Sequence, residues 1–158
     1  MKTLFIYYCT DSRVGKICAE NADSKYTDVI ELSPRYSCGY AKKLSCALSG
    51  QGVRIKKLDI DFSKYDSVII ASTLTAGMPA AVVNEFLHTT NLSGTEVIGV
   101  FIKDRFFSRH TSEVFRKRIS LAGGNCRSVV TIPAKEIKKN PTHVMEFVEN
   151  AVSKAEAF

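Results

Sequence analysis

The chain has 158 residues, of which 45% are hydrophobic and 24% are charged, and its formal net charge at pH 7 is +6. This length suits one domain, residues 1–158, that buries roughly two thirds of its unfolded surface. No apolar run approaches the roughly 18 residues of a membrane span. The basic residues are dispersed and lack the interleaved aromatics of a nucleic-acid groove. These features disfavour a membrane or a nucleic acid as partner.

The cysteines and the amino-terminal apolar stretch favour a cytoplasmic protein. Five cysteines are scattered along the chain, with no C-x-x-C pair and no zinc-ligand spacing to a histidine. An odd number of scattered cysteines suits a reducing compartment, where cysteine behaves as a small hydrophobe. The apolar residues 4–8 are too few for the core of a signal peptide, so we interpret them as a strand. The sequence therefore predicts neither a disulfide nor a metal site.

Apolar runs and helical periodicities alternate along the whole chain. Short runs rich in branched aliphatic residues predict strands at 4–8, 29–32, 68–71, 97–102 and 129–132. Apolar residues three or four positions apart predict helices at 17–22, 38–49, 80–87, 113–121 and 141–155. This alternation predicts an α/β protein with a three-layer, doubly wound, five-stranded parallel sheet.

The segment after the third strand is the first candidate for a site. Small residues at 72–77 follow the strand, and Pro79 is predicted to start the next helix. In open α/β sheets, ligands bind at loops that leave the carboxyl ends of strands. We therefore expect 72–78 to line a site. The alternative is a plain strand-to-helix connection in which Gly77 serves the turn.

Several segments resemble the flavodoxin family. The first strand runs into a turn containing Ser and Thr at 4–12, and DIDFSKYD at 59–66 leads to the third strand. AGMPA at 76–80, NEFL at 84–87 and LSGTEV at 92–97 resemble the segments that follow it. The matches come at suitable intervals up to residue 102, and beyond it only the order of elements agrees. The resemblance implies a flavodoxin-like sheet with strand order 2-1-3-4-5.

The resemblance also implies one FMN, bound non-covalently by the loops after strands one, three and four. The flavin carries the chemistry in such proteins, so no catalytic side chain is implied. Thr10, Ser12, Arg13 and Val14 match the loop that binds the phosphate. Ser12 stands where the family has a glycine, and Val14 stands where it has a hydroxyl residue. The Asp11 carboxylate repels a phosphate if its side chain points toward the site. The alternative role for 10–12 is the N-cap of the first helix.

The second loop is implied to contact the flavin ring. The residues concerned are Thr73, Leu74, Thr75, Ala76 and Gly77. Relatives often carry Trp or Tyr at the position of Thr75, because an aromatic ring stacks on the flavin. Thr75 hydrogen-bonds instead of stacking.

The third loop, 103–111, departs most from the family pattern. It contains two phenylalanines and no glycine, and its implied flavin contacts are Lys103 and Phe106. Phe106 or Phe107 either supplies the missing stacking partner, fills the flavin slot, or packs against another subunit of a homodimer. His110 is a candidate proton donor in the same loop.

Two functions follow from these observations. The first is an FMN-binding, flavodoxin-like redox protein, either an electron carrier or a small flavin-dependent oxidoreductase. Its partners are a redox protein, NAD(P)H or a small-molecule acceptor, and the basic charge disfavours an acidic electron shuttle. The second is a flavodoxin-fold protein that has lost FMN and acts as a binding or interaction module, because all three loops depart from the pattern.

Overall fold

A computed structural model describes residues 1–10, 20, 25–103, 109–140, 146, 150 and 153. The elements in chain order are β1 (Thr3–Tyr8), β2 (Thr27–Glu31), α1 (Tyr40–Ser49), a 3-10 helix (Phe62–Lys64), β3 (Ser67–Thr75), β4 (Met78–Pro79), α2 (Ala81–Thr89), β5 (Glu96–Lys103), α3 (Arg109–Leu121), β6 (Asn125–Pro133) and α4 (Ala134–Lys139). The helix predicted at 17–22 lies outside the described residues except for Glu20, which is helical. The helix predicted at 141–155 is described only at positions 146, 150 and 153, which are helical.

The five long strands form a parallel sheet in the order β2-β1-β3-β5-β6, and the short β4 pairs antiparallel with the end of β3. Without β4, this order is 2-1-3-4-5, so the predicted topology is confirmed. In the middle of β1, Phe5 pairs with Val29 of β2 and with Ile69 of β3. The order reverses between β1 and β3, and ligands of such sheets bind at the carboxyl ends of the two strands flanking that reversal.

The main core lies between the sheet and helices α1, α2 and α3. Alternate strand residues such as Leu4, Ile6 and Ile70 belong to this core together with Phe86 and Phe115 from the helices. The intervening residues Phe5, Ile69 and Ala71 are also buried, on the opposite face. Burial on both faces explains why these strands are continuous apolar runs in the sequence. Among the described residues, none of the helices combines the length and the hydropathy that a transmembrane span requires.

The predicted loop at 72–77 is wrong for its first four residues, 72–75. β3 continues to Thr75, because Ser72 and Thr73 pair with β5 and the next two residues pair with β4. Only Ala76 and Gly77 form a turn. Pro79 does not start the helix: it pairs with Leu74 in the hairpin, and α2 begins at Ala81.

Other element boundaries also differ from the predicted ones. α3 begins at Arg109 rather than at 113, and β6 spans Asn125–Pro133 rather than 129–132. α1 begins at Tyr40, and β2 lies two residues earlier at its start than predicted. α4 was not predicted, because its six residues are mostly charged and carry no apolar stripe.

Candidate functional site

Two predicted site residues meet where β1 and β3 end. The backbone N–H of Thr10 lies 3.3 Å from Thr73 Oγ1 and donates to it, and Thr10 Oγ1 donates to the same oxygen at 3.4 Å. Both bonds are long for their type, so a ligand oxygen competes easily for these hydroxyls. Below them Ser72 is fully buried, and its hydroxyl donates to the Thr73 carbonyl at 2.7 Å. We call this meeting point of the two strand ends the β1/β3 crevice.

The hairpin between β3 and β4 forms one side of the crevice. Its two turn residues, Ala76 and Gly77, have φ values of 50° and 78°. Two-residue turns with positive φ at both positions match the twist of the strands that they connect. Glycine adopts such angles freely, whereas alanine is strained by about 1–3 kcal/mol. The turn is held from α3, because the buried Thr111 hydroxyl donates to the Gly77 carbonyl at 2.6 Å.

A narrow cavity of about 30 Å³ extends from the crevice toward α1. Tyr8 and Thr75 line it from the strands, Thr10 lines it from the segment after β1, and Tyr40 and Lys43 line it from α1. A volume of this size holds about one water molecule, so the side chains around it are close to one another. The cavity therefore brings an aromatic ring and an ammonium group to the predicted site.

Tyr40 and Lys43 were not among the predicted site residues. Tyr40 lies within the helix that the apolar periodicity predicts at 38–49, yet it is the first residue of α1 and 73% of its surface is exposed. An aromatic residue in the first turn of a helix, followed closely by Lys42 and Lys43, is the sequence signal that could have indicated a surface role. In the described parts of the chain, no carboxylate forms an ion pair with Lys43.

The remaining predicted residues fall into four groups. Leu74 is buried with its side chain in the main core, whereas Ala76 is exposed at the hairpin tip. Lys103 ends β5 at the same edge of the sheet, paired with Pro133. His110 is exposed in the first turn of α3. The fourth group of predictions, on Ser12, Arg13, Val14 and Phe106, lies outside the described residues.

Solved structures resemble this fold, while no family model and no curated protein matches the sequence. The flavoprotein from Lactobacillus acidophilus NCFM in complex with FMN is 22% identical, with a TM-score of 0.69 over 87% of this chain and 97% of that one. Its apo-form has a TM-score of 0.63 at 19% identity over 87% and 95% of the two chains. A flavodoxin from Streptococcus pneumoniae TIGR4 is 15% identical, with a TM-score of 0.53 over 97% and 98%. The fold of this chain is therefore flavodoxin-like.

Proposed function

We propose that the chain is an FMN-binding redox protein of the flavodoxin type. The observation that carries the proposal is the meeting of Thr10 and Thr73 at the β1/β3 crevice. Sheets with this strand order bind their ligands at that crevice. The Lactobacillus acidophilus flavoprotein, solved with FMN, has the same fold over 97% of its length, which supports FMN as the ligand.

The described side chains suit a flavin in three respects. The hydroxyls of Thr10, Thr73 and Thr75 offer hydrogen bonds at the crevice. Tyr40 lines the same cavity as Thr75, and its exposed side chain offers the aromatic surface that Thr75 lacks, because flavin rings stack on aromatics. The ammonium group of Lys43 attracts the phosphorylated ligand. We propose that Tyr40 takes the place of the stacking residue that relatives carry in the second loop.

We propose that the loop after β1 binds the phosphate group of FMN. Thr10 is its described member, and Ser12, Arg13 and Val14 complete it as predicted from the sequence. Backbone N–H groups at the start of a helix bind phosphate well, and hydroxyl side chains add donors. Phe106, which follows β5 in the sequence, remains the proposed contact on the other side of the ring.

The protein part of the proposed function is to bind, orient and shield the flavin, and a bound FMN supplies the electron-transfer chemistry. The hairpin gives a fixed surface, because the buried Thr111–Gly77 hydrogen bond holds its turn. Donor and acceptor are NAD(P)H, a redox protein or a small molecule. The net charge of +6 favours partners with an acidic surface, and the odd number of scattered cysteines agrees with a cytoplasmic location.

The test is a titration of the purified protein with FMN, followed by quenching of flavin fluorescence, with riboflavin as the comparison. We expect saturable binding of one FMN per chain and weaker binding of riboflavin, which lacks the phosphate. Thr73→Val should weaken FMN binding about fivefold, the equivalent of about 1 kcal/mol for one hydrogen bond. Thr131→Val, a matched change in β6, should leave it unaltered.

A colourless preparation that takes up no added FMN would contradict the proposal. That result favours the alternative that the fold has lost its flavin and serves as a binding or interaction module.

A further inference from the structure

A second cavity, of about 520 Å³, lies between the carboxyl-terminal ends of α2 and α3. These helices run back from the carboxyl edge of the sheet, so the cavity is at the amino edge, opposite the β1/β3 crevice. Its volume is within the range of about 300–1,000 Å³ that small-molecule sites occupy. We call it the Arg118 groove, after the charged residue that lines it.

Arg118 is fixed in this groove by a buried amide. Its Nη1 donates to Oδ1 of Asn84, which is fully buried in α2, and Nδ2 of Asn84 donates to the Gln51 carbonyl at 3.0 Å. The guanidinium also lies close to Gly50, since a Cβ placed there would be 3.2 Å from Nη2. The charge is thus held in one place rather than extended into solvent.

No acidic partner neutralises this charge in the described parts of the chain. The ion pairs there involve Lys2, Lys64, Arg109 and Arg127, and none includes Arg118. Burial lowers the pKa of the Arg118 guanidinium, and none of the carboxylates among the described residues raises it. A guanidinium has five N–H donors and a partly buried cation needs compensation, so Arg118 retains the capacity to bind an anion.

The other surfaces of the groove suit an organic ligand rather than a bare ion. His88, Thr90 and Asn91 give it a polar rim, and Asn91 offers its amide N–H₂ because its oxygen already accepts from Ser93. Leu87 and Leu121 give it an apolar side, and 78% of the Leu121 surface is exposed.

We propose that the Arg118 groove binds a small organic anion. Its carboxylate or phosphate pairs with Arg118, and its apolar body lies against Leu87 and Leu121. This site is separate from the proposed flavin site, and it does not depend on the protein binding FMN.

The proposal is tested by an NMR titration of the ¹⁵N-labelled protein, in the presence and absence of FMN. The probes are phenyl phosphate, benzoate, inorganic phosphate and phenol. We expect phenyl phosphate or benzoate to shift the amide resonances of 87–91 and 118–122, with at least tenfold higher affinity than phenol or inorganic phosphate. The tighter of the two aromatic anions identifies the charged group of the ligand. Shifts that persist with FMN present separate this site from a flavin-phosphate site.

Three variants complete the test. Arg118→Gln should lower the affinity for the aromatic anion at least tenfold. Lys117→Gln removes the same charge from the exposed side of α3 and should not lower this affinity. Leu121→Glu changes an exposed residue, and its negative charge should lower the affinity for the anion by repulsion. This variant tests the proposal if Arg118→Gln does not fold. Unshifted resonances at millimolar probe, equal affinity for phenol and phenyl phosphate, or wild-type affinity in both Arg118→Gln and Leu121→Glu would overturn the proposal.

Discussion

The hydroxyl of Thr111 donates a 2.6 Å hydrogen bond to the carbonyl of Gly77, and both residues are buried. This bond connects α3 to the tip of the β3–β4 hairpin, two elements that are distant in the sequence. It satisfies a buried carbonyl in a turn whose residues both have positive φ. The hairpin side of the β1/β3 crevice is therefore positioned by α3 and not by the turn alone.

Thr111→Val should reduce the free energy of unfolding by about 1–3 kcal/mol, because it leaves the buried Gly77 carbonyl without this donor. Urea unfolding measures the change. Thr89→Val is the matched control: its hydroxyl donates to the Glu85 carbonyl at 2.8 Å on an exposed helix surface, where water replaces the lost donor. Equal losses in the two variants would contradict the role given to the Thr111–Gly77 bond.

The sequence predicted the sheet well because its central strands are buried on both faces. Residues 68–71 and 97–102 are continuous apolar runs, and such runs locate buried parallel strands without further information. The end of β3 was missed because Ser72, Thr73 and Thr75 are small and polar. Their strand conformation results from pairing with β5 and β4, which is a long-range contact.

Part of the candidate site was predicted from the sequence and part of it was missed. The resemblance to the flavodoxin family implied Thr10 and Thr73 as members of two separate loops, and the structure brings these two residues into contact. Tyr40 and Lys43 reach the crevice only because α1 packs beside α2 at the end of β3. Periodicity within α1 cannot reveal that neighbour, because it reports burial and not which element lies opposite.

Tyr40→Leu should weaken FMN binding if the Tyr40 ring stacks on the flavin. Aromatic stacking contributes about 0.5–1.5 kcal/mol beyond buried area, which corresponds to a Kd increase of about 2- to 12-fold. Fluorescence titration with FMN measures it. Tyr36→Leu is the control, since Tyr36 is 62% exposed and lines a different cavity, with Cys38 and Arg54. The same Kd in both variants would exclude Tyr40 from the flavin site.

Asp28 gives the protein a stability contribution that depends on pH. Its Oδ2 accepts hydrogen bonds from Lys2 Nζ and from the Tyr65 hydroxyl, each at 2.8 Å. The bond from Lys2, followed by the bond from Tyr65, lowers the pKa of Asp28 below 3.8. Since the folded pKa is below the unfolded one, the contribution is complete above about pH 5 and is lost as the pH falls through the folded pKa.

Urea unfolding of wild type and Asp28→Asn at a series of pH values measures this contribution. We expect the difference in the free energy of unfolding to be largest near neutral pH and to shrink in acid. Asp59→Asn is the control, because Asp59 is exposed and takes part in no ion pair in the described chain. A difference between wild type and Asp28→Asn that stays constant down to pH 2 would refute the assignment.

Gly99 allows α3 to pack against β5. A Cβ at Gly99 would lie 2.5 Å from Cε1 of Phe115, whose ring meets Phe101 edge-on with centroids 5.0 Å apart. Gly99→Ala forces this ring to move, and overpacking of this kind costs about 1–3 kcal/mol in the free energy of unfolding. Gly39→Ala is the control for the added methyl group: beyond its chain neighbours no described atom lies within 4 Å of its Cβ position, so its cost reflects only the weaker N-capping of α1 by alanine.

The contact between the two residues is tested by a double-mutant cycle. Phe115→Leu removes the ring atoms that the new methyl group would meet. Gly99→Ala should therefore cost less in the Phe115→Leu background than in the wild type, with a coupling of about 0.5–3 kcal/mol. Additive costs would mean that position 99 requires glycine for a reason other than the Phe115 ring, such as the backbone conformation of β5.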